Sequence, residues 1–128
     1  MSYYFAKTVN TPFAETIDRV TAALKERGFG VLTTIDVKAT MKAKLDVDFH
    51  PYTILGACNP GFAHKALTAE DKIGTMLPCN VIVQDVKPGE VEVAAVDPIA
   101  SMQGVGNAAL EPIAGEVRDL LRQTVESL

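Results

Sequence analysis

Phe13, Ile17, Val20 and Leu24 recur at spacings of four, three and four, which puts them on one side of an α-helix. Thr11-Pro12 reads as the start of that helix. A threonine oxygen can accept from a free backbone N–H, and proline at the first helical position gives up a hydrogen bond it would not make. Lys25 and Arg27 fall near the negative end of the helix dipole, and Gly28 suits the left-handed residue that closes a helix. A second stripe, Leu110, Ile113, Val117, Leu121 and Val125, predicts a final helix from Asn107 to Leu128.

Between these helices the pattern changes to short β-branched and aromatic runs. Tyr3–Val9, Phe29–Ile35, Tyr52–Cys58, Cys79–Val86 and Val91–Val96 read as strands. Asp36 can cap a short helix with Val37, Met41 and Leu45 on one side. Pro60 starts another, through Ala63, Ala66 and Leu67 to near Asp71. Pro98 to Gly106 reads as a loop. Lys87-Pro88-Gly89-Glu90 is a hairpin turn.

The order is therefore β-α-β-α-β-α-β-β-α. A hairpin needs an antiparallel pair, so a wholly parallel sheet is excluded. The fold class is α+β: a single mixed or antiparallel sheet with helices on one face. The other face is left partly open, and a partner is expected there, most simply a second copy in a homodimer.

The 128 residues match one domain spanning 1–128. With 48% apolar and 22% charged residues, the chain falls in the globular range and needs no disulfide staple. Twelve Lys and Arg against 16 Asp and Glu give −4, so nucleic-acid binding is not expected. No stretch approaches the ~20 apolar residues of a membrane helix, and Met1–Lys7 lacks the basic and apolar regions of a signal peptide. The expectation is a cytoplasmic protein away from membranes, with Cys58 and Cys79 as thiols.

Two segments stand out as candidate chemistry: Gly56-Ala57-Cys58-Asn59-Pro60 and Leu77-Pro78-Cys79-Asn80-Val81. Each has Cys-Asn at a strand boundary, where one strand finishes and the other begins. If the strands are antiparallel neighbours, both thiols fall at the same end of the sheet. Alternation sets Cys58 with Tyr52, Ile54 and Gly56, and Cys79 with Val81 and Val83. Asn59 and Asn80 can bond turn backbone. A helix starting at Pro60 aims free N–H groups at this end, which lowers a nearby thiol pKa. His64 lies on that helix and can approach Cys58. Cys58, Asn59, Cys79, Asn80 and His64 thus form the candidate ligand site.

Free cysteine is also among the most buried residue types, so two inert core thiols are the competing reading. No CxxC or zinc spacing is present, and no metal ligands are assigned. Gly104-Val105-Gly106 lacks the spacing of a phosphate cradle. Lys38, Lys42 and Lys44 read as a solvated helix face.

These residues resemble the bacterial and archaeal "domain of unknown function 302" family. The resemblance rests on Asp36-Val37-Lys38 with Lys42 and Lys44, Tyr52 to Pro60, Ile73-Gly74 before Leu77 to Val81, Asp97-Pro98 and the final helix. Thr75-Met76 departs from it, where an apolar leucine-like pair is expected. The resemblance implies a small α+β protein with a TATA-box-binding-protein-like arrangement, usually a dimer. It brings no agreed activity and carries over no catalytic residues, and the cofactor stays unknown. Three functions stay open. A homodimeric module binding a small ligand or soft metal ranks first and a sheet-mediated interaction protein second. A thiol-dependent redox or sulfur-handling enzyme ranks third, so an enzyme is the less favoured class.

Overall fold

The computed structural model describes residues 2–128, and Met1 lies outside them. Five strands form one sheet: β1 (Tyr4–Val9), β2 (Gly30–Asp36), β3 (Tyr52–Cys58), β4 (Cys79–Lys87) and β5 (Glu90–Val96). Their order across the sheet is β1-β5-β4-β3-β2, and every neighbouring pair is antiparallel. The open choice between a mixed and an antiparallel sheet is thereby settled as antiparallel. β1 and β2 are the two edges.

Helices α1 (Phe13–Glu26) and α5 (Glu111–Glu126) cover one face. Val20, Leu24, Leu121 and Val125 pack there against Leu55, Val81, Val83, Val91 and Val93. Leu24 and Leu121 are fully buried. Cutting either back to alanine in such a site costs about 2–5 kcal/mol. β4 shows the alternation directly: Cys79, Val81 and Val83 are buried against the helices, whereas Asn80, Ile82 and Gln84 belong to the other face.

Arg118 of α5 ties this layer together. Its Nε donates to Asp97 Oδ2 at 3.2 Å, and its guanidinium lies 5.2 Å from the centre of the Phe5 ring. Asp97 Oδ1 also accepts from the backbone N–H of Ile99 and so caps the short helix α4 (Pro98–Ser101).

Three local expectations change, and the helix after Asp36 gains a detail. Thr11 does not cap α1; its hydroxyl lies 2.9 Å from that of Thr16, which is buried. The span from Pro98 to Gly106 is not a loop throughout, because α4 and a 3-10 turn at Gln103–Val105 occupy it. A 3-10 turn also fills Asp71–Met76, and another at Ala108–Leu110, capped by Asn107, precedes α5. Helix α2 (Val37–Leu45) is capped by Asp36, which accepts from Ala39 N–H at 2.9 Å, yet it buries no residue. It packs mainly on β2 and β3 at the edge of the sheet. Its stripe is therefore not core, and Leu45 is 65% exposed.

Candidate functional site

β3 ends at Cys58, and the next residue caps helix α3 (Pro60–Ala69). Asn59 Oδ1 accepts from the Phe62 N–H at 3.4 Å, and Pro60 occupies the first turn, where its missing N–H costs nothing. The Asn59 amide also fills the space beside Gly28, whose φ of +84° closes the α1 turn. A Cβ on Gly28 would stand 3.0 Å from Asn59 Nδ2. Asn59 therefore joins the end of β3 to the end of α1.

Cys79 opens β4 directly across from Ala57, with Gly56 across from Asn80. The two cysteines accordingly meet at one end of the sheet, one residue apart across the ladder. Both line a cavity of about 320 Å³ enclosed by the sheet, α3, α4 and α5. Asn59 lines it too, and apart from the two thiols it contributes the one polar side chain of the lining. The remaining walls are hydrocarbon, with Phe29 and Phe62 among the larger groups. Ala63 and Ala66 on α3 and Ala114 on α5 leave the space open. Leu32 and Leu67 line it as well and stay 67% and 43% exposed, so its walls reach the surface.

Cys79 is buried, and burial pushes its thiol up to about 11, helped by the nearby charge of Cys58. An apolar setting disfavours the thiolate. This direction is opposite to the activation that a nucleophilic or redox thiol at Cys79 requires. Both cysteines are free.

The five candidate residues do not all meet. Cys58, Asn59 and Cys79 line the cavity; Asn80 and His64 do not. Asn80 is exposed on the opposite face of the sheet, as strand alternation requires next to an inward Cys79. His64 is exposed on α3 and, among the described residues, its ring bonds to neither cysteine. No cluster of three His, Cys, Asp or Glu side chains able to hold a metal occurs among the described residues. Lys42 is paired with Asp46 at 2.9 Å and Asp48 at 3.4 Å on the solvated side of α2.

Most of the cavity wall escaped the sequence reading. Phe29, Phe62, Met102, Ile113 and Ala114 come from segments far apart in the chain. The one local signal was Ala63 and Ala66, small residues on the same side of a short helix.

The family model for the domain of unknown function DUF302 matches residues 5–128. No curated protein matches the chain. Among solved structures, the chain is similar to the crystal structure of an uncharacterized conserved DUF302 protein from Bacillus stearothermophilus. That match has 29% identity and a TM-score of 0.90, over 98% of each chain. With the family model matching residues 5–128 and this structural likeness over nearly the whole chain, the chain belongs to the DUF302 family.

Proposed function

We propose that this protein is a small-molecule binding module whose helix-side cavity takes an apolar ligand, with Cys58, Asn59 and Cys79 on one wall. The observation that carries the reading is the cavity itself. Its volume of about 320 Å³ falls at the lower end of the range for ligand pockets, and its mainly apolar wall with one orienting amide is the usual composition of such pockets. The thiols serve here as soft, weakly polar surface. Asn80 and His64 take no part. A soft metal is less well supported than an apolar molecule, because two thiols and an amide fall short of the four-ligand set usual for zinc.

The reading also includes a homodimer paired through β2. β2 is an edge strand without proline, its one charged residue is Asp36 at its far end, and its pairing with β3 is irregular only between Val31 and Thr33. Most of its length therefore lacks the charges and prolines that normally protect an edge. Ile35 is 46% exposed. A two-fold axis would set two copies of β2 antiparallel. Leu32 belongs to that edge and to the cavity wall, so a second copy would stand beside the mouth. No helix among the described residues is long and apolar enough to cross a membrane. Two unpaired cysteines favour the cytoplasm as the compartment.

The test is a thermal-shift series with octanol, decanol and dodecanol on the full chain and on Ala114→Leu, which fills the cavity. A saturable rise in melting temperature in the parent and none in the variant is expected. Equal responses in both, or none in either, would overturn the reading.

A further inference from the structure

The open face of the sheet carries a second hollow, of about 400 Å³, on the side away from the helices. Tyr3, Tyr4 and Tyr52 all line it, and they are the only three tyrosines in the chain. A cross-strand row forms its base: Tyr52 on β3 faces Gln84 on β4, and Gln84 faces Glu92 on β5. Gln84 Nε2 donates to Glu92 Oε1 at 2.9 Å. His50 Nε2 lies 2.8 Å from Gln84 Oε1, so the ring nitrogen donates and the amide orientation follows. Phe49 stacks on His50 with ring centres 4.3 Å apart.

This chain of bonds holds one oxygen of Glu92 and leaves the other free. Among the described residues, Oε2 receives no hydrogen bond, and Glu92 has no ion-pair partner. No lysine or arginine lines the hollow. Lys7 of β1 is turned to the helix side, where it donates to the Glu126 carbonyl. The hollow therefore offers one carboxylate, several π faces and an apolar base that includes Ile82 and Ala94. The Tyr52 hydroxyl shows the sign of the field: burial raises its pKa, and the charges of Glu92 and Tyr3 raise it further.

We propose that this hollow binds a small organic ammonium ion, with its charge between Glu92 and the tyrosine rings and its carbon skeleton on Ile82 and Ala94. Cations are drawn to aromatic faces and to carboxylates alike. An anion would be repelled, and a neutral molecule would cover the Glu92 charge without compensating it. The site is separate from the helix-side cavity, so either can fail without the other.

The tyrosines make the site its own reporter, since the chain has no tryptophan. Choline chloride is titrated into the full chain at constant ionic strength while tyrosine emission is followed. The neutral isostere 3,3-dimethylbutan-1-ol serves as the control, and sedimentation is recorded in parallel. The expected result is a saturable change with choline and none with the alcohol. Glu92→Gln, which keeps an oxygen for Gln84, should weaken binding by about ten-fold or more. Tyr4→Leu, at a position already 44% exposed, should weaken it several-fold and keeps the test open if Glu92→Gln fails to fold. The proposal is overturned by a flat titration, by equal responses to choline and the alcohol, or by choline affinity unchanged in both variants. An emission change that follows dissociation of a dimer would also overturn it, and would make the occupant a second copy.

Discussion

Cys79 is the register partner of Ala57, so the residue after Ala57, Cys58, stands diagonally across the ladder from Cys79. Two Cys-Asn segments twenty-one residues apart in sequence are brought together by one antiparallel pairing. The cysteine side of the cavity follows from this single register.

The buried thiol gives the protein a pH signature. Cys79 is pushed up to about 11, against about 8.5 for an unfolded cysteine. The folded chain holds this proton to higher pH than the unfolded chain does. The contribution is present in full below about 8.5 and is lost as pH rises through about 11. The melting temperature should fall across that window more steeply in the parent than in Cys79→Ala. Parallel profiles would show that burial of Cys79 does not govern its titration.

Gly56 has no room for a side chain. A Cβ there would meet Thr33 Oγ1 from the edge strand and lie 2.7 Å from Pro78 Cγ. Neither neighbour is the far end of a flexible chain. Gly56→Ala should therefore lower stability by about 1–3 kcal/mol in urea unfolding. A change under about 0.5 kcal/mol would mean that β2 can move aside at no cost.

Arg118→Ala should also destabilise, by about 1–3 kcal/mol. It leaves the Asp97 carboxylate, only 12% exposed, without its cation and removes the contact with Phe5. Arg118→Lys should recover part of this loss, since a lysine keeps the charge but not the planar fork. Urea unfolding of the three proteins provides the comparison, and equal stability for all of them would assign the pair to solvent-screened surface.

The proposed edge pairing predicts a concentration-dependent dimer in sedimentation velocity. Ile35→Lys places a charge on the β2 edge and should give a monomer with an unchanged circular dichroism spectrum. A parent that is monomeric at every concentration, or a variant that stays dimeric, would remove β2 from the interface.

The parts of this fold that were legible in the sequence are those set by local spacing. α1 shows the pattern clearly, because its fully buried residues Val20 and Leu24 sit on the one stripe the sequence displays. β3 is bounded as read, from Tyr52 to Cys58. Asn59 caps the helix after it. The stripe on α2 is not core, because periodicity locates apolar residues on a helix but does not supply a layer for them to face. The site was half legible for a similar reason. Asn80 follows Cys79 by one residue in a strand, which sends the two side chains to opposite faces. His64 precedes the buried Ala66 by two residues, about 200° around the helix, so it faces away from the cavity. Ile113 and Met102 carried no local sign of sharing a wall with Phe29, since only the tertiary packing of α4 and α5 brings them there.

The most direct test of the cavity's role is a methyl NMR titration with decanol on chain labelled at alanine. Saturable shifts should appear at Ala63, Ala66 and Ala114 and leave Ala6 and Ala94, on the open face of the sheet, unmoved. Shifts confined to Ala6 and Ala94, or no saturable shift at any alanine, would contradict the account.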